Sequence, residues 1–243
     1  MRLDRVLLDE MRAIFEASGG TYGSPRLYRE LTKRGHRLSH RRVERLMRVG
    51  GWRARNVRVY RRTAGTHRWF GQHPNRVGQT RATCPNQIWI GDLTYLAVAG
   101  RWWYLAAVLD QYSRRVLAWR LAATRDSVFT RALVHAALRR RHPQAGLIFH
   151  TDRGSEFLGT PFRQRLVAAG VQQSMTRGGA PGENAHIESF FHSLKAELIH
   201  GRSFATVADL RHQLRRYMRY YNHQRIHSSL GYQSPVDYER GAA

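Results

Sequence analysis

The sequence has few acidic residues, almost no lysine and a single cysteine. It has 17 acidic side chains against 41 basic ones, and only Lys33 and Lys195 among the basic residues are lysines. A formal charge of +24 makes a chain repel itself, so a polyanionic partner is the natural explanation. Arginine binds phosphate through two parallel hydrogen bonds. We therefore expect DNA or RNA as the partner.

Other absences narrow the class of protein. Because Cys84 is the only cysteine, an internal disulfide and a zinc centre built from several thiolates are excluded. No apolar run approaches the ~20 residues that a membrane-spanning helix needs. The N-terminus also lacks the apolar segment of a signal peptide. We expect a cytoplasmic protein, and a hydrophobic content of 42% is enough for a packed core.

Helical periodicity and stop signals predict a small helical module over residues 1–52. Apolar residues recur at helical spacing over 1–17, and Gly19 and Gly20 end that helix. Ser24 and Pro25 predict an N-cap followed by proline at the first helical position, in a helix that runs to about Arg34. Ser39 caps a further helix. Two short helices joined by a tight turn are typical of a helix-turn-helix.

The second helix of this pair is predicted to contact DNA in the major groove. It carries four arginines: Arg41, Arg42, Arg45 and Arg48. The alternative is a basic helical hairpin that touches phosphates without reading bases. Residues 53–80 are arginine-rich and poorly periodic, and we interpret them as a basic linker.

From residue 81 the pattern predicts an α/β domain that extends to residue 202. Three strands in succession, joined by short turns, predict an antiparallel meander, and helices then alternate with two further strands. The strands are expected over 87–99, 101–109, 115–122, 147–150 and 171–175, and the helices over 126–141, 157–169 and 185–200. The order βββαβαβα is that of a ribonuclease-H-like domain, with a mixed five-stranded sheet. Residues 177–184 are expected to form a flexible loop, and 203–243 a helical C-terminal extension.

Three acidic residues lie where burial would be costly without a partner. Asp92 interrupts the first strand, Asp152 follows the fourth, and Glu188 projects from the last helix of the domain. Since the first and fourth strands are neighbours in this topology, the three carboxylates are predicted to converge. Clustered carboxylates repel one another unless cations lie between them. Hard oxygen ligands suit Mg²⁺ or Mn²⁺, and a pair of such ions supports in-line phosphoryl displacement.

The chain resembles the integrase-core transposases of insertion sequence family three, made from the second of two overlapping reading frames. Six segments in order carry the resemblance: Tyr22–Arg26, Trp89–Tyr95, Val108–Arg115, His150–Ser155, Asn184–Lys195 and Tyr221–Pro235. The resemblance covers nearly the whole chain, and 35 residues separate Asp152 from Glu188, as it leads one to expect. It implies a bacterial, nucleoid-associated enzyme that cleaves and transfers DNA strands at the ends of its element.

The resemblance also implies roles for single residues. Asp92 and Asp152 would bind both metal ions, and Glu188 would complete the second site. Lys195, two helical turns after Glu188, would contact DNA near the cleaved phosphate. Asp110 belongs to a family motif without being a ligand, and we interpret it as structural. Two other acids are set aside: Glu183 in the loop has the wrong spacing, and Glu156 is interpreted as a charge at a helix N-terminus.

Several alternatives remain open at this point. A DNA-binding regulator without enzymatic activity fits the charge and the helix-turn-helix, but leaves the three acids unexplained. Tyr220 and Tyr221 suggest a tyrosine recombinase, which would form a covalent protein–DNA link. Ribonuclease H activity is a third possibility. As partners we expect DNA, further copies of the chain assembled on it, and an upstream-frame protein or fusion that carries a leucine zipper.

Overall fold

A computed structural model describes residues 2–55, 74–78, 80–177 and 184–241. Most of the predicted linker over 53–80 therefore lies outside the described residues. So do Glu183 and most of the predicted loop over 177–184. Among the described residues, every helix is too short or too polar to span a lipid bilayer.

The N-terminal module consists of three helices around a small apolar core. They are α1 (Arg2–Ala17), α2 (Ser24–Lys33) and α3 (His40–Val49). The Ser39 hydroxyl accepts a hydrogen bond from the Arg42 N–H, which confirms Ser39 as the N-cap of α3. The predicted N-cap of α2 was wrong by one residue, because Gly23 has the extended cap conformation and Ser24 is already helical.

The sheet has five strands in the order β3-β2-β1-β4-β5. The strands are β1 (Ile88–Val98), β2 (Arg101–Asp110), β3 (Val116–Ala122), β4 (Ile148–Thr151) and β5 (Gln172–Met175). The first three form the predicted antiparallel meander, whereas β4 and β5 join the other side of β1 in parallel. The mixed five-stranded sheet of a ribonuclease-H-like domain is confirmed.

Two helical segments differ from those predicted. In place of one helix over 157–169 there are α5 (Ser155–Leu158) and α6 (Thr160–Val167). Gly159 between them is extended, and a side chain there would collide with Ser127 at the start of α4 (Ser127–Arg141). In place of the single helix expected over 185–200, the α-helix α7 (Ala185–Leu194) is followed directly by a π-helical turn, Lys195–Ile199.

Two apolar layers enclose the sheet. α4, α5 and α6 cover one face, where Trp89 and Phe149 are buried. α7 and α8 (Val207–His223) cover the other face, so Leu210 and Leu214 of the C-terminal segment share a core with β1. A short 3-10 turn, Ser228–Leu230, and α9 (Pro235–Arg240) complete the chain.

The N-terminal module is packed against this C-terminal segment. Ile226 lies in the apolar core of the module. The Tyr22 hydroxyl donates to the Gln224 carbonyl at 3.1 Å and accepts from the Ile226 N–H at 3.2 Å.

Candidate active site

The register of β1 and β4 places Asp92 beside Asp152. Gly91 is the last β1 residue paired with β4, and its partner is Thr151. Asp92 is the next residue of β1, and Asp152 is the first residue after β4. Neighbouring strands lie ~4.8 Å apart, so the two aspartates are neighbours where the ladder between β1 and β4 ends. Two of the three carboxylates that the sequence predicts to converge are therefore neighbours.

Backbone hydrogen bonds orient both aspartates. The Leu93 N–H donates to Asp92 Oδ1 at 2.7 Å, and the Gly154 N–H donates to Asp152 Oδ1 at 3.0 Å. Both side chains are half-buried. Each carboxylate therefore accepts a hydrogen bond from the backbone one or two residues after it, while both side chains keep access to solvent.

Glu188 enters the site from α7. That helix is anchored by Ile187, Phe190 and Leu194, which are buried in the core shared with β1. Burial raises the pKa of Asp92 well above its usual value, and the charges of Asp152 and Glu188 raise it further. Asp152 and Glu188 are thus both within electrostatic reach of Asp92.

The donor chemistry fits a divalent cation. In the part of the chain that the structure describes, no three His, Cys, Asp or Glu side chains are close enough together to bind one metal ion. Asp92, Asp152 and Glu188 are all carboxylates, however, and Mg²⁺ and Mn²⁺ prefer such hard oxygen ligands. A cation among them would also offset the repulsion that raises the pKa of Asp92.

Glu156 contributes a fourth carboxylate beside the site. It lies in the first turn of α5, as its interpretation as a helix-terminal charge requires, but it is also buried at 5% exposure. Its charge raises the pKa of Asp92, and its nearest ion-pair partner is Arg125 at 4.0 Å. This burial could not be predicted from the sequence, because α5 was not expected as a separate helix.

Lys195 lies at the same site, although it begins the π turn and not a further α-helical turn. Its ammonium nitrogen is 5.2 Å from the centre of the Tyr95 ring. Burial lowers the pKa of Lys195, while the charge of Asp92 acts in the opposite direction. The ammonium group of Lys195 therefore lies beside the carboxylates and next to the exposed ring of Tyr95.

Two of the four arginines predicted to contact DNA form ion pairs within the module. Arg42 and Arg45 bind the two oxygens of Asp4 at 2.6 and 2.7 Å. Hydrogen bonds from Arg45 and then Arg42 lower the pKa of Asp4 to about 2. Arg41 and Arg48 are exposed. A DNA-binding role for all four stays a prediction.

Asp110 has the structural environment expected for it. It is fully buried and its carboxylate accepts hydrogen bonds from the N–H groups of Asn86, Tyr112 and Ser113. Burial raises its pKa. These bonds fix the turn between β2 and β3, away from the reacting groups.

The tyrosines that suggested a recombinase are unsuited to act as nucleophiles. Tyr221 is 3% exposed and packs between Phe190 and His227. Burial raises its pKa to about 12 and also raises that of Tyr220. Tyr220 further shares a hydrogen bond with Thr21. Both residues belong to the packing between the domain core and the N-terminal module.

Known protein families match both the N-terminal helical module and the domain that contains the sheet. Residues 82–181 and 169–235 match two families described as integrase core domain, and residues 2–60 match a family described as HTH-like domain. The transposase for insertion sequence element IS904 of Lactococcus lactis is 35% identical over 97% of this chain and 94% of its own length. The transposase InsF for insertion sequence IS3A of Escherichia coli is 34% identical over 93% of this chain and 80% of its own length.

A solved structure supports the fold alone. The catalytic core domain of BIV integrase is similar with a TM-score of 0.51 and 14% identity, over 65% of this chain and 95% of that one. The fold and these matches define the class: a DNA-processing enzyme with a DDE integrase core. Within that class, the chain belongs to the IS3 family of insertion sequence transposases, whose activity is DNA cleavage and strand transfer.

Proposed function

We propose that Asp92, Asp152 and Glu188 are the catalytic residues and hold two Mg²⁺ or Mn²⁺ ions. The observation that carries the proposal is that Asp92 and Asp152 each directly follow the last residue pair of the β1–β4 ladder, and that the charge of Glu188 raises the pKa of Asp92. When bound, the ions supply electrostatic stabilisation of the attacking and leaving oxygens. The hydrogen bonds from Leu93 and Gly154 keep the two aspartates oriented for that task.

Lys195 is proposed to bind the phosphate next to the one that is cut. Its ammonium group is a compact cation on a flexible stem, and it lies beside the carboxylates. It would hold the DNA backbone while the carboxylates act on the neighbouring phosphate.

The helix-turn-helix is proposed to bind the terminal repeats of the element. Arg41 and Arg48 are exposed and form no ion pair with another described residue, whereas Arg42 and Arg45 must first break their ion pairs with Asp4. Transposition requires two ends, so we propose further copies of the chain on the same DNA. An upstream-frame partner or fusion with a leucine zipper, and action at the bacterial nucleoid, belong to the same proposal.

The test is an assay on labelled duplexes that carry the terminal repeats of the element, with Mg²⁺. Asp92→Asn, Asp152→Asn and Glu188→Gln are each expected to abolish cleavage and strand transfer while DNA binding persists, because a carboxamide lacks the charge that holds Mg²⁺. Asp9→Asn and Glu16→Gln change exposed acids of α1 in the same way and should leave activity intact.

Two outcomes of this assay would count against the proposal. Retained cleavage by one of the three variants would remove that residue from the site. Binding of the element ends without metal-dependent cleavage by the unaltered protein would favour the alternative of a regulator without enzymatic activity.

A further inference from the structure

The outer half of the β1–β2 hairpin presents two exposed aromatic side chains. Tyr95 and Trp102 are 58% and 60% exposed, with ring centroids 5.1 Å apart and ring planes at 90°. The β1–β4 ladder ends at Gly91, whereas β1 continues to Val98, so the hairpin extends beyond the parallel strands. Large aromatic rings exposed together on a domain surface are typical of a binding site.

This aromatic pair lies close to the proposed catalytic carboxylates. Tyr95 follows Asp92 by three residues on the same strand, so their Cα atoms are about 10 Å apart and their side chains leave opposite faces of the strand. Lys195 is close to both positions. Its ammonium nitrogen is 5.2 Å from the centre of the Tyr95 ring, and the charge of Asp92 raises the pKa of Lys195. A ligand that touches the pair therefore also approaches the reacting phosphate.

The charged groups on the hairpin itself and over its aromatic rings are positive. No acidic residue occurs between Asp92 and Asp110, a segment that includes both aromatic residues and Arg101. Tyr104, which pairs with Tyr95 across the hairpin, has the guanidinium of Arg125 5.7 Å from its ring centre. Aromatic rings interleaved with cations are typical of surfaces that stack the bases of single-stranded nucleic acid and hold its backbone.

We propose that Tyr95 and Trp102, here called the hairpin platform, stack an unpaired DNA base next to the phosphate that is cut. Lys195 and Arg101 would bind the backbone on either side of that base. The inference rests on the proposed function, because it takes Asp92 to be in the active site. Stacking would hold the strand open at the element end, so that the scissile phosphate can reach the carboxylates.

The test measures stacking separately from catalysis. Element-end duplexes carry 2-aminopurine at single positions around the cut, and they are bound to the full chain in a Glu188→Gln background. Stacking on an aromatic ring quenches this fluorophore, so we expect quenching at one or two positions. Tyr95→Thr with Trp102→Thr should abolish it while keeping strand propensity. Tyr95→Phe and Val167→Ala, the latter an exposed apolar residue of α6, should preserve it.

Activity provides the second readout, measured with Glu188 intact. Losing one stacked base is expected to reduce strand transfer from fully paired ends about 10-fold. Ends that carry a mismatch at the stacked position should recover most of that loss, because their base is already unpaired. Equal activity and equal quenching in the threonine and unaltered proteins would overturn the platform while leaving the carboxylate proposal standing.

A third measurement needs no substitution in the platform. DNA with 5-iododeoxyuridine at the quenched position should form a photo-crosslink to Tyr95 or Trp102, identified by mass spectrometry. Crosslinks only to residues outside the hairpin would overturn the inference. So would a threonine variant that changes the oligomeric state with undiminished quenching, because the surface would then be a contact between protein copies.

Discussion

Gly91 occupies a position on β1 where a side chain has no room. A methyl group there would lie 2.7 Å from Cε1 of Phe149, whose ring is fully buried. Gly91→Ala is therefore expected to destabilise the fold by about 1–3 kcal/mol and to displace Asp92, with loss of cleavage. Urea unfolding measures the first effect. Gly241→Ala meets only ordinary contacts and serves as the control, so equal midpoints for the two variants would contradict the prediction.

Asp4 restrains two arginines of the helix-turn-helix. Asp4→Asn should release Arg42 and Arg45 for phosphate and tighten DNA binding by about 1.5- to 5-fold, the range of an exposed ion pair. Asp9→Asn makes the same charge change on α1 away from these arginines. Fluorescence anisotropy should show a larger gain for Asp4→Asn, and equal gains would assign the effect to overall charge.

The pKa of Asp4 sets the pH range of this experiment. Because its pKa is lowered to about 2 in the folded protein, the carboxylate is charged above its ordinary pKa and the ion pairs are fully present there. They are lost only as the pH falls through about 2. The difference between the two variants should therefore be constant from pH 6 to pH 8.

At the scale of elements, the π turn after α7 depends on a buried ion pair. Arg225 donates to Glu197 at 2.7 and 2.9 Å and to Ser193 at 3.1 Å, and both charged side chains are almost fully buried. Arg225→Ala leaves the Glu197 carboxylate without its cation, which is expected to cost about 3–5 kcal/mol. A double-mutant cycle measures the coupling: the unfolding midpoints of Arg225→Ala, Glu197→Ala and the double variant are compared with that of the unaltered protein. A double variant as destabilised as the sum of the singles would contradict the coupling.

The elements differ in how far the sequence could define them. The strands and their order could be predicted from the local pattern of apolar residues and from the short connections between strands. That order was enough to predict that Asp92 and Asp152 lie on neighbouring strands. The break at Gly159 and the π turn depend on Ser127 and Arg225, which are distant in sequence and become neighbours only in the fold. The ion pair between Arg42 and Asp4 could not be predicted either, because the two residues are 38 positions apart in the sequence.

At the scale of the whole molecule, hydrogen bonds join the helix-turn-helix module to the C-terminal segment of the integrase-core domain. Tyr22 of the module bonds to the backbone on both sides of Arg225, and Arg225 in turn binds Glu197 in the turn that begins with Lys195. The C-terminal segment thus connects the module to the active site. A DNA end bound by the module would be presented to the carboxylates in a fixed orientation.

The last prediction concerns the course of the reaction at phosphorus. The proposed site consists of carboxylates, and Tyr221 is buried with its pKa raised to about 12, so no side chain is expected to attack DNA. Water would cut the strand, and the freed 3′-hydroxyl would then attack a second phosphate. Each step is an in-line displacement and should invert the configuration at phosphorus. A chiral phosphorothioate substrate measures this. Net retention in one strand-transfer step, or a phosphotyrosyl adduct at Tyr95 or Tyr221, would show a covalent intermediate and contradict direct transfer by the three carboxylates.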